Sequence, residues 1–170
     1  MEIKGFIDIS LVDWDGKISS VIFLPGCNMR CPFCYNATMV LHPKKMQTIP
    51  FEQIEEYLKK NRRWIDGAVI TGGEPTIHND LPELCRKIKG LGFLVKVDTN
   101  GTNPRMIREL IDKGLVDCIA MDVKAPLTEE KYSKACGTNA KNLLKKIEET
   151  IDILLRSNVE YEFRTTMVPT

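Results

Sequence analysis

The sequence predicts an α/β fold in which an N-terminal β-hairpin leads into an array of parallel strands joined by helices. Apolar, β-branched runs recur at residues 21–24, 68–71, 93–97, 118–123 and 161–168. Amphipathic segments fill the gaps between them, and strand–helix alternation at this spacing implies right-handed crossovers between parallel strands. Ahead of the array, two short runs at 6–12 and 17–21 flank Asp13-Trp14-Asp15-Gly16, where Asp-Gly favours a hairpin turn.

The helices follow from spacing and punctuation. Pro50 opens one with Ile54, Tyr57 and Leu58 facing inward. Leu81, Leu84, Cys85 and Ile88 fall at i, i+3, i+4 and i+7, one apolar face of a helix that ends at Gly90. Asn103 is an N-cap, with Pro104 at the first helical position. Ile107, Leu110 and Ile111 form the stripe that follows, and Gly114 is a C-terminal stop. A longer helix over 139–156 would bury Leu143, Leu144, Ile147, Ile151 and Leu154. No repeat, low-complexity tract or flexible linker divides the chain. The expectation is one domain over 1–170, with the hairpin at 1–20 and the β/α core at 21–170.

Composition narrows the function. Lys and Arg number 24 against 23 acids, giving a net charge of +1, so neither nucleic acid nor an anionic membrane is an expected partner. No run approaches the roughly 20 apolar residues of a membrane span. Glu2, Lys4 and Asp8 stand where a secretory signal would be apolar. Cytoplasmic residence is therefore expected, where six cysteines serve as ligands, reactive thiols or core residues, not disulfides.

Three of them lie in Pro25-Gly26-Cys27-Asn28-Met29-Arg30-Cys31-Pro32-Phe33-Cys34-Tyr35-Asn36, directly after the first core strand. In β/α arrays chemistry gathers in such loops, beyond the carboxyl ends of the strands. Closely spaced thiolates on one loop hold iron–sulfur clusters. Three protein ligands would leave one iron of a cubane open to a small molecule. Structural zinc, with His42 as a fourth ligand, is an alternative, although zinc sites favour paired spacings.

Further candidates end the later strands. Thr71-Gly72-Gly73-Glu74-Pro75 offers backbone without side chains and a carboxylate able to accept from an ammonium group. It also reads simply as a tight turn. Asp98-Thr99-Asn100-Gly101 ends the third core strand, and by itself Asn-Gly is only a turn signal. In Met121-Asp122-Val123-Lys124 an acid and a base two apart share a face and can converge on a zwitterion, or form a surface ion pair. Arg164 on the last strand would be a further charge at the same mouth.

With Phe33 before its last cysteine, the CxxxCxxC loop resembles the signature of the radical S-adenosylmethionine superfamily. The order hairpin, CxxxCxxC-Tyr-Asn, GGEP, DTNG, MDVK and FRTT resembles glycyl radical enzyme activating enzymes of the anaerobic ribonucleotide reductase and pyruvate formate-lyase types. The resemblance implies a partial (β/α)6 barrel and one four-iron, four-sulfur cluster on Cys27, Cys31 and Cys34. It implies S-adenosylmethionine as cofactor, with contacts from Phe33, Tyr35, Gly72, Gly73, Glu74, Asn100, Asp122, Val123, Lys124 and Arg164. It associates Asp98, Thr99 and Asp122 with a monovalent cation, and Asp98 with the cofactor as well. A glycyl radical enzyme is implied as protein substrate, and a flavodoxin or ferredoxin as electron donor.

Two departures stand out. Tyr35 occupies a position where activators usually carry His, and the sequence reads as truncated before the sixth barrel strand. Residues 36–50 hold no cysteine, so a single cluster is expected. Cys85 and Cys118 read as core residues, and Cys136 as structural or incidental. Radical chemistry on a small molecule, peptide or RNA, and a non-catalytic iron–sulfur protein, are the competing functions.

Overall fold

A computed structural model describes residues 1–168. The strands β1 (Gly5–Ser10), β2 (Ser19–Leu24), β3 (Gly67–Gly72), β4 (Leu94–Thr99), β5 (Cys118–Asp122) and β6 (Glu160–Arg164) form one sheet in sequence order. β1 is antiparallel to β2, and all later pairs are parallel. The crossovers carry α1 (Ala37–Leu41) and α2 (Phe51–Lys60), then α3 (Leu81–Gly90), α4 (Pro104–Asp112), and finally α5 (Glu129–Cys136) with α6 (Lys141–Arg156). No helix among the described residues is long and apolar enough to cross a membrane.

β2 to β5 are covered on both faces, which is why they read as near-continuous apolar runs. On one face Ile22, Leu24, Ala68, Ile70, Val95, Val97, Ile119 and Met121 join the helices in the main core. The opposite face carries a smaller cluster of Trp14, Val21, Val69 and Cys118. Parallel register sets Val69 beside Lys96, Lys96 beside Cys118, and Asp122 beside Arg164. Because side chains alternate, Lys96, Asp98, Asp122, Glu162 and Arg164 all share that second face. The sheet thus presents charge to the interior of the array and hydrocarbon to the helices.

Trp14 closes the amino-terminal end of this face. A Cβ on Gly67 would come within 2.9 Å of its ring, so glycine is what seats the indole there. Above it, the Lys96 ammonium, 2% exposed, donates to the Asp13 carbonyl at 2.7 Å and pairs with Glu162 at 2.6 Å. The hairpin turn is thereby tied to β4 and β6.

Several boundaries move from their sequence expectations. The return arm of the hairpin and the first core strand are one strand, β2, which pairs with β1 on one edge and β3 on the other. The run 161–168 yields a strand only as far as Arg164, and no sixth parallel strand follows it among the described residues. The long helix starts at Lys141, where Asn139 accepts from the Lys141 amide at 2.9 Å. Of its stripe, Ile147 and Leu154 are fully buried, whereas Leu143, Leu144 and Ile151 are only partly so. The short helix α5 had no sequence signal, because Tyr132 and Cys136 are its only buried positions.

Candidate active site

A cavity of about 530 Å³ opens at the carboxyl ends of the parallel strands. Cys27, Cys31 and Cys34 line it, together with Phe33, Tyr35, Gly72, Gly73, Glu74, Asp98, Thr99, Asn100, Asp122, Lys124 and Arg164. Val123 does not. Its side chain packs against the main core and its N–H donates to the Arg164 carbonyl at 2.8 Å. Cys85, Cys118 and Cys136 are buried in the cores, apart from this cavity.

The cysteine loop is pinned along its length. The Gly26 carbonyl accepts from the Glu74 amide at 2.8 Å, and a Cβ on Gly73 would stand 1.7 Å from that same oxygen. Gly73 is therefore where the β3 turn and the cysteine loop touch backbone to backbone. Farther along, Asn28 donates to Thr102 at 2.7 Å, Thr102 to Asn100 at 2.7 Å, and Asn100 back to Asn28 at 2.9 Å. This closed ring fastens the loop to the end of β4. Asn36 donates to the Gly72 carbonyl at 2.8 Å and secures its far end. Arg30 wraps its guanidinium onto the Cys27 and Met29 carbonyls at 2.6 and 2.7 Å.

Burial pushes the Cys27 thiol up to about 11, and burial raises Cys31 as well. Both stay protonated at neutral pH in the absence of a bound cation, so metal loading would release protons. Three thiols on one cavity wall are the donor set an iron–sulfur cluster takes, and the loop fits one. Among the described residues, no three His, Cys, Asp or Glu side chains, these cysteines included, converge closely enough to hold a single metal ion, so the three thiols suit a cluster's spread irons and not one ion.

Glu74 is 1% exposed and its carboxylate is already occupied. Oε1 accepts from the Thr76 amide at 3.1 Å, the Thr76 hydroxyl, and the Thr99 hydroxyl at 2.8 Å; Oε2 accepts from the Asn100 amide at 2.6 Å. Burial raises its pKa against the pull of those donors. The side chain staples the ends of β3 and β4 together, which leaves the Gly72–Gly73 backbone as that motif's open surface. Asn100 likewise spends its amide on the loop ring.

The charged wall is a chain of pairs. Lys124 meets Asp122 at 3.1 Å, and Arg164 meets Asp122 at 3.3 Å and Asp98 at 3.1 Å. Burial works against the Lys124 ammonium, yet the neighbouring Asp122 carboxylate and Cys31 hold its pKa above the usual lysine value. Burial raises the Asp98 carboxyl, with Arg164 and Lys96 opposing. Asp98 Oδ1 is buried without a hydrogen-bond partner among the described residues, on a side chain that lines the cavity. Two cations, two acids and bare glycine backbone on one wall suit the zwitterionic end of an amino-acid-like cofactor. Of Asp98, Thr99 and Asp122, expected to hold a monovalent cation, the two acids are bridged here by the Arg164 guanidinium and the Thr99 hydroxyl donates to Glu74. Tyr35 is 87% exposed and stands at the cavity rim.

Asn28, Asn36, Asp13, Thr71, Thr165 and Thr166 belong to the site or its support; each lies in a segment the sequence singled out, but the sequence assigned none of them a role of its own.

Residues 21–170 match the family model described as the Radical SAM superfamily. A Methanocaldococcus jannaschii protein named "Putative glycyl-radical enzyme activating enzyme" is 40% identical over 168 residues, covering 98% of this chain and 68% of the relative. A "Probable GTP 3',8-cyclase" of Methanococcus aeolicus is 32% identical over 147 residues, covering 82% of this chain and 48% of that protein. Among solved structures, TYW1 with a lysine-pyruvate adduct bound superposes with a TM-score of 0.64 at 20% identity, covering 88% of this chain and 55% of that one.

Proposed function

Because the chain belongs to the radical S-adenosylmethionine superfamily, whose members use a four-iron, four-sulfur cluster and S-adenosylmethionine, we propose that it is a glycyl radical enzyme activase. Cys27, Cys31 and Cys34 would hold the cluster as thiolates. When bound, cluster and cofactor supply one-electron cleavage of the sulfonium carbon–sulfur bond, giving methionine and a 5′-deoxyadenosyl radical that removes hydrogen from a partner's backbone glycine.

The chain's own residues bind, orient and exclude. Lys124 presents an ammonium to the cofactor's carboxylate, and the Gly72–Gly73 backbone accepts from its amino group. Asp98 Oδ1 takes a further donor, and Arg164 keeps both wall carboxylates in register. Glu74 acts behind this surface by fixing the turn. Trp14 and the Lys96–Glu162 pair close the floor beneath the charged wall. Residues 1–170 act as one unit in this reading, the 1–20 hairpin being continuous with the 21–170 core through β2. A flavodoxin or ferredoxin in the cytoplasm is the proposed electron source.

The observation that carries the activase reading is the similarity over 98% of the chain to a protein named for that activity. The test is anaerobic incubation of the reduced, reconstituted protein and S-adenosylmethionine with a ribonucleotide reductase or formate-lyase of the glycyl radical type. A glycyl radical doublet in the partner's electron paramagnetic resonance spectrum, dependent on every component, is the expected result. Cofactor cleavage with no partner radical would favour small-molecule chemistry of the kind for which the second relative is named.

A further inference from the structure

On the reading that Cys27, Cys31 and Cys34 hold the cluster, we propose that α5 and the glycine that ends it are a brace setting the position of the cysteine loop. In that brace Gly137 is the positioning residue for the Arg30–Cys31 peptide.

α5 lines no part of the cavity, yet it touches two segments that do. At its far end the Cys136 carbonyl accepts from the Arg30 amide at 2.8 Å. Immediately after, Gly137 lies flat on the peptide that precedes Cys31. A Cβ there would stand 1.9 Å from the Arg30 oxygen, 2.5 Å from its carbonyl carbon and 3.3 Å from the Cys31 nitrogen. These are backbone atoms, so relief requires the loop itself to move. One turn earlier, the fully buried Tyr132 accepts at its hydroxyl from the Lys124 amide at 3.3 Å. A single helix thus references both the second cysteine and the lysine of the charged wall to one rigid body. Cys136 and Ala140, both fully buried, anchor that body in the core.

Gly137 has φ of +64°, which a helix-ending glycine adopts for its own sake. Gly114 separates the two requirements within this molecule. It ends α4 with φ of +61°, but nothing lies within 4 Å of the Cβ it lacks. Alanine at either position carries the same backbone strain. Only at Gly137 does it also displace the cysteine loop.

The experiment compares Gly137→Ala with Gly114→Ala in the full chain. Hydrogen exchange at the Arg30 amide of the metal-free protein is the first readout. Iron content, reduced-cluster line shape and midpoint potential after reconstitution form the second. Gly137→Ala should speed Arg30 exchange at least tenfold, halve iron content or worse, and shift the line shape and potential. Gly114→Ala, with a comparable loss in unfolding midpoint, should leave all four unchanged. Equal effects from the two variants, or wild-type values in Gly137→Ala, would overturn the brace. Should Gly137→Ala not fold, Tyr132→Phe takes its place. It keeps the ring, and should raise the dissociation constant for S-adenosylmethionine several-fold at unchanged iron content; unchanged affinity overturns the coupling. A wild-type protein that binds no cluster would sink the cluster reading, while Arg30 exchange would still decide the brace.

Discussion

Lys124 and Glu74 both sit on the cavity wall, but they ask for opposite experiments. Lys124 has one protein partner and donor capacity to spare, so Lys124→Met should weaken S-adenosylmethionine binding roughly tenfold to a hundredfold, the range of a lost charge-assisted hydrogen bond. Calorimetry on the anaerobically reconstituted variant would measure it, with the cluster absorbance unchanged. Glu74 already accepts four hydrogen bonds from protein donors. Its replacement by alanine should leave buried donors on Thr76, Thr99 and Asn100 unpaired, at about 1–3 kcal/mol each before relaxation. That loss belongs in a denaturant titration of the metal-free protein, and a variant as stable as the wild type would refute the staple. The cysteines divide in the same way. Cys34→Ala should abolish the cluster's visible absorbance, whereas Cys85→Ala, in the α3 core, should keep the iron content and lose only stability. The three proposed ligands stood out because thiols at CxxxCxxC spacing after a strand have few other uses, and all three line one cavity. The roles of Glu74 and Asn100 were not, because a sequence shows which groups a motif contains but not which partners have already claimed them.

At the scale of elements, spacing and punctuation located what local physics determines. α3 and α4 lie where their apolar stripes and caps put them, with Asn103 accepting from the Met106 amide as the N-cap. The hairpin was harder to read, since the composition of 17–24 does not reveal that one strand serves two neighbours. Trp14, taken from the sequence as part of a turn, proves to be the plug beneath the charged wall. Trp14→Ala should therefore cost about 3–5 kcal/mol, as large-to-small changes at buried aromatics do. Chemical denaturation of the metal-free protein would record it, and a loss below about 1 kcal/mol would mean that the indole is not seated as described. α5 escaped notice because a helix with two buried positions carries almost no periodic signal, although it makes the contacts that hold the cysteine loop.

Over the whole molecule, one choice in the sheet creates the site. Parallel strands in sequence order deliver each loop to the same end, and alternation sends the acids and bases of β4, β5 and β6 to the same face. The cysteine loop, the glycine turn and the ion-paired wall meet as a consequence. β6 differs from its neighbours, with Tyr161 and Phe163 exposed on the helix-side face. The chain spans 68% of the first relative's length, so the partner and the full activity belong to experiment. The most direct measurement is electron paramagnetic resonance of the anaerobically reconstituted, dithionite-reduced chain, with and without S-adenosylmethionine. A reduced-cluster signal that changes on adding the cofactor, with release of 5′-deoxyadenosine, is the predicted result. A signal indifferent to the cofactor, with no 5′-deoxyadenosine formed, would contradict it.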